Sequence, residues 1–122
     1  MGNLFTLASL REELENEFAP VVFEGAKHSY VLRSLLRVST EARQIIMNKL
    51  KEMESLQSQE KEGNLNEAGI MDVVRTIILQ VTTDGRGADL VSELGDDLMM
   101  HTTILQKWQE ATQPGEAQDS PN

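Results

Sequence analysis

The sequence predicts a mainly α fold: a small helical domain with a short N-terminal β-hairpin. Three observations point to it. Apolar residues recur at three- and four-residue steps through most of the chain, the period of one helix face. One segment, "PVVFEGAKHSYVLRS", instead gathers β-branched and aromatic residues on either side of a glycine-containing polar loop. The chain has 122 residues, which suits one domain and is short for two. The expected layout is a single helical domain over 1–111, its β-hairpin near 20–34, and a disordered polar tail over 112–122.

The first helix is expected over about residues 7–18, where Leu7, Leu10, Leu14 and Phe18 share a face. Thr6 can cap it, with Ser9 and Glu12 as a competing capping box. Pro20 limits it, because the residue before a proline is pushed out of the helical region. Two strands around Val21–Phe23 and Tyr30–Val31 then form the hairpin. Such a pair is marginal alone and needs a cover, for which the first helix is the natural candidate. Leu32, Leu35 and Leu36 shift toward helical spacing, enough for one short turn.

A second helix begins at Ser39 or Thr40, with Glu41 at its positive end. Its stripe is Ala42, Ile45, Ile46, Leu50, Met53 and Leu56, and its charged end frays into a linker near Gly63. The third helix starts around Asn64, which has capping-box spacing to Glu67. Ile70, Met71, Val74, Ile77, Ile78 and Val81 make it the most hydrophobic segment and the expected centre of the core. "TTDGRGAD" ends it. A short helix follows with Leu90, Val91 and Leu94. The last helix runs to about Ala111, with Leu98, His101, Ile104, Leu105 and Trp108 on one side. The tail "TQPGEAQDSPN" has one apolar residue, Ala117, too little to offset the cost of ordering.

Composition narrows the function classes. Eleven basic residues against twenty acidic ones give a charge of −9, which repels phosphate backbones and anionic lipid. Arg33 and Arg37 come nearest to a basic patch, and Glu24 and Glu41 flank them. No nucleic acid and no membrane partner is expected. There is no cysteine, so disulfides, iron–sulfur clusters and a thiol nucleophile are excluded. No run approaches the roughly eighteen apolar residues of a membrane span. No signal peptide is visible, and the chain reads as cytosolic. Aromatic residues are only 4%, so the core must be mostly Leu, Ile, Val and Met.

"ELGDDLMMH", Glu93–His101, poses the sharpest chemical question. Its acidic pair with a nearby histidine could start a metal or acid–base site. The simpler reading makes Asp96 the N-cap and Asp97 the first helical residue, with Gly95 breaking the preceding helix. A metal would need a third ligand, and nothing in the spacing selects one among His28, Asp84 and Asp89. "DGRGAD" lacks the alternating oxygen ligands of a calcium loop, and Gly85 and Gly87 do not make a phosphate loop. No serine sits in a nucleophile-elbow pattern. No catalytic residue, metal ligand or cofactor is therefore expected. Trp108 has two readings, core anchor or interface anchor. Leu98, Met99, Met100, Ile104 and Leu105 form a surface too wide for one narrow stripe, and methionine suits adaptable contacts. Leu98, Met99, Met100, Ile104, Leu105 and Trp108 are the candidate partner-binding residues. The bland alternative is a helix buried on two sides.

Together these segments resemble the tail assembly chaperones of long-tailed, siphovirus-type bacteriophages, especially those infecting actinobacteria. "FTLASLREELENEFAPVVFE" is similar to the family's first helix and strand, and "YVLRSLLRVSTEAR" to the strand, turn and second-helix start. "GRGADLVSELGDDLMMHTTILQKWQEATQPGEA" is the most specific part. One departure is a second helix that opens "STEARQIIMNKL", less basic than in the family. The resemblance implies a non-enzymatic assembly factor that binds the tape measure protein, keeps it soluble and helps recruit tail tube protein. It implies action in the host bacterial cytoplasm, absence from the mature virion, and a longer frameshifted form. Self-association into a homo-oligomer stays open. The rival is a small acidic structural or inhibitory protein-binding module of a phage.

Overall fold

The computed structural model describes residues 4–112. Its order is α1 (Leu7–Glu17), β1 (Val21–Glu24), β2 (Ser29–Leu32), α2 (Thr40–Lys61), α3 (Glu67–Val81), α4 (Gly87–Leu94) and α5 (Leu98–Thr112). Short 3-10 turns lie at Leu35–Arg37 and Thr83–Gly85. The fold is thus mainly helical with a short N-terminal hairpin, as the periodicity predicts. Of the polar tail expected over 112–122, residues 113–122 lie outside the described residues, and Thr112 is the buried last residue of α5.

The helix ends show why the elements stop where they do. α2 does not fray. Gly63, at φ +93°, lets its own N–H reach the Glu60 carbonyl and the Asn64 N–H reach the Gln59 carbonyl, both at 2.9 Å. That is a Schellman stop, which needs the left-handed conformation glycine adopts freely. Asn64 is therefore spent on ending α2. The cap of α3 is Asn66, whose side chain accepts from the Gly69 N–H at 3.0 Å, not Asn64 as expected.

α3 forms the centre. Ile70, Val73, Val74, Ile77, Ile78 and Val81 are all buried, and α2, α4 and α5 each pack against α3. α2 contributes Ala42, Ile46, Met53 and Leu56. Ile45, expected in that stripe, lies outside it and is exposed, because α3 covers only a narrow arc of α2.

The hairpin pairs antiparallel, with Val21 opposite Leu32 and Phe23 opposite Tyr30. Directly opposed side chains share a face, and here that face turns to the helices: Tyr30 and Leu32 join the core, with Val21 and Phe23 packed against it. Its far end is fixed by backbone. The Arg33 N–H donates to the Val81 carbonyl at 2.9 Å, and Leu32 bridges Thr82. At the loop, the Glu93 carboxylate on α4 accepts from the Ala26 N–H at 2.7 Å. The cover expected from α1 is supplied by the helical core instead. α1 buries no residue at all. Thr6 caps it, accepting from the Ser9 N–H at 3.1 Å, and Glu15 reaches Arg37 at 3.7 Å.

Candidate partner-binding surface

The acidic pair is positioned by a break between α4 and α5. Gly95 takes φ +62°, which stops α4. The carbonyl of Asp97 accepts the first bond of α5 from the His101 N–H, and Asp97 Oδ1 accepts from the Met100 N–H at 3.1 Å. The cap is thus Asp97, one residue later than expected, because Gly95 and Asp96 are both used in reversing the chain. Asp96 points to solvent and lies 3.7 Å from Arg75.

His101 is fully buried on α5. Its Nδ1 is 2.7 Å from the Asp97 carbonyl, and Arg75 Nε donates to its Nε2 at 3.2 Å. An arginine nitrogen only donates. Nε2 therefore accepts and Nδ1–H donates, which is the neutral ring. Arg75 also donates to the Gly95 carbonyl at 2.9 Å. One arginine so ties α3 to the α4–α5 break. A metal on His101 would have to displace that arginine. Among the described residues no group of three or more His, Asp or Glu is placed to hold a metal. None of the described helices is long and apolar enough to cross a membrane.

The structure divides the six candidate partner-binding residues. Ile104, Leu105 and Trp108 belong to the core cluster, and Leu98 packs against it half-buried. Trp108 is 2% exposed, and its indole N–H donates to the Arg33 carbonyl at 2.8 Å. Of its two readings, the core one describes its surroundings. Met99 and Met100 remain on the surface, at 70% and 44% exposure. The split follows the helical period: His101, Ile104, Leu105 and Trp108 face inward, and the two methionines sit on the next arc.

A larger apolar set lies where sequence reasoning expected a buried stripe. Leu4 and Phe5 precede α1 and are open to solvent, as are Leu7, Leu10 and Leu14 on it. The spacing of those leucines revealed an amphipathic helix, but no signal in the sequence tells whether its stripe meets its own domain. The nearest cleft, about 230 Å³, runs beneath the end of α1 between Phe18, Val31, Arg33 and Arg37. A second, about 390 Å³, lies by Met71, Asp72 and Asp96. Both are open and lined by charged ends and backbone-bound side chains, which offers a surface to a macromolecule more than a pocket to a small one.

The family model described as mycobacteriophage tail assembly protein matches residues 1–117. The chain belongs to this family. It is also 25% identical to "Tail assembly protein Gp24" of Mycobacterium phage L5, over 134 aligned positions covering all of both chains. No solved structure matches the chain. The match to the tail assembly family takes in α1 together with the core helices, so the exposed helix lies within the family's extent. Among the described residues of this tail assembly protein, exposed apolar side chains gather on and before α1 and at the start of α5, with others at Val22, Leu36, Ile45, Met47, Leu65 and Leu79.

Proposed function

We propose that the chain is a tail assembly chaperone that binds the tape measure protein, keeps it soluble and helps recruit tail tube subunits. The observation that carries this is the family match over residues 1–117. The surface agrees with it in kind. A holding protein needs apolar area to shield a client and net charge to keep the loaded complex dispersed. Met99, Met100 and the α1 leucines supply the area, and a charge of −9 supplies the repulsion. The protein acts in the host bacterial cytoplasm and does not enter the mature virion. A longer frameshifted form is part of the same reading.

Co-expression with the tape measure protein encoded nearby tests it. The client should shift into the soluble fraction and co-purify. A client equally soluble alone, and absent from the pull-down, removes the chaperone assignment. Mass spectrometry of purified virions separates it from a structural module, which would be found there in stoichiometric amount. Blotting infected cells for a longer product, beside sequencing of the coding region, decides the frameshift.

A further inference from the structure

α1 is a helix that buries none of its apolar face fully: Leu7 is 69% exposed, Leu10 36% and Leu14 38%. These leucines keep the i, i+3, i+7 spacing of a docking helix. At 100° per residue they fall within about 60° of arc. Leu4 and Phe5, 90% and 65% exposed, extend the patch at its N-terminal end. The cost of leaving such area in water is of order 25 cal/mol per Å², so a contiguous patch of this kind marks an interaction site. The helix is also short. At eleven residues it is marginal without tertiary support.

Its charges state what kind of partner fits. α1 carries Arg11 against Glu12, Glu13, Glu15 and Glu17, a net of −3. Glu13 and Glu17 border one edge of the leucine face; Arg11 and Glu15 border the other. Glu15 already meets Arg37 of its own chain. A second copy is a poor occupant, since α1 against α1 would set Glu13 and Glu17 against like charge. The segment 113–122 is a poor one too, with Glu116, Asp119 and a single apolar residue.

We propose that the leucine face of α1 docks an amphipathic helix of a partner protein whose apolar stripe is bordered by lysine or arginine. This rests on the geometry and charge of α1 alone. Its failure would remove the α1 leucines from the area offered to a client and leave the family membership standing, while co-purification with the tape measure protein separately decides the proposed function.

The test uses the full chain and three synthetic peptides about five turns long: leucines at i, i+3, i+7 spacing with lysines between, the same with glutamates, and a shuffle of the lysine peptide. Binding is read by fluorescence anisotropy, and its site by hydrogen exchange of the residue 7–17 amides. The lysine peptide should bind, protect those amides and weaken with added salt. The other two should not bind. The triple variant Leu7→Ser, Leu10→Ser, Leu14→Ser should bind at least tenfold more weakly with an unchanged unfolding midpoint. Glu13→Gln with Glu17→Gln should weaken binding severalfold at low salt only. Equal binding of the shuffled or glutamate peptide overturns the proposal. So does full binding by the triple variant, or protection appearing elsewhere than α1. A triple variant that unfolds at much lower temperature makes α1 a structural element. A wild-type oligomer that the triple variant dissolves makes a second copy the occupant.

Discussion

Asp97 holds the first turn of α5 through the Met100 N–H, while its neighbour Asp96 reaches Arg75 only across 3.7 Å of open surface. The two carboxylates should behave differently on removal. Asp97→Ala should cost about 1 kcal/mol, the usual worth of a cap. Asp96→Ala should stay within about 0.5 kcal/mol, because exposed ion pairs contribute little. Chemical denaturation of the two single variants checks both. Trp108→Ala should cost about 3–5 kcal/mol, since it empties a large core site and orphans the Arg33 carbonyl. A fall in client capture without that loss of stability would instead return Trp108 to the interface role. The cap of α5 was legible in the sequence to within one residue. The remaining uncertainty was conformational: a glycine before two aspartates admits either as cap, and only the φ of Gly95 selects Asp97.

At the scale of elements, α1 and the hairpin differ most in how they meet the rest. The hairpin is held along its length, by Tyr30 and Leu32 in the core and by Glu93 at its loop. Glu93→Ala should lower stability by about 1 kcal/mol and raise the exchange rate of the Ala26 amide. α1, held by one cap and one long ion pair, should exchange its amides far faster than α3 in the free protein. Element existence was readable throughout, because the 3.6 and 2.0 periods are set by which side chains are apolar. Which element covers which was not. α3 reads as the most hydrophobic segment and is central, but the period of α1 does not tell whether its narrower stripe meets its own domain, and no residue of that helix is buried. Helix boundaries slipped where polar residues could serve two ends at once, as Asn64 and Asn66 show around Gly63. The candidate surface was read from α5, where the period sets Ile104, Leu105 and Trp108 on one side and Met99 and Met100 on the next arc but does not say how much of the helix the core covers.

For the molecule as a whole, Tyr30 and Lys49 link the fold to alkaline pH. Burial raises the Tyr30 phenol above its ordinary 10.0, with the negative charges of Glu93 and Asp89 adding to the effect. Hydrogen bonds to Asp72 and Glu52 raise Lys49, which joins α2 to α3. In both cases the native protein holds its proton more tightly than the unfolded chain. The resulting stabilisation is complete below pH 10 and is lost as pH climbs through the raised values. Thermal melts should therefore fall on the alkaline side, and Tyr30→Phe should flatten part of that fall. A profile identical in Tyr30→Phe would show that the phenol does not contribute.

The bond from Trp108 to the Arg33 carbonyl joins points 75 residues apart, and the chain has one tryptophan. The α2–α3 pair, by contrast, closes over a few residues. Local closures form early and distant ones late. In a stopped-flow experiment, far-UV ellipticity should thus recover before indole emission, making the native fluorophore a clock for the final sealing of the hairpin onto the last helix.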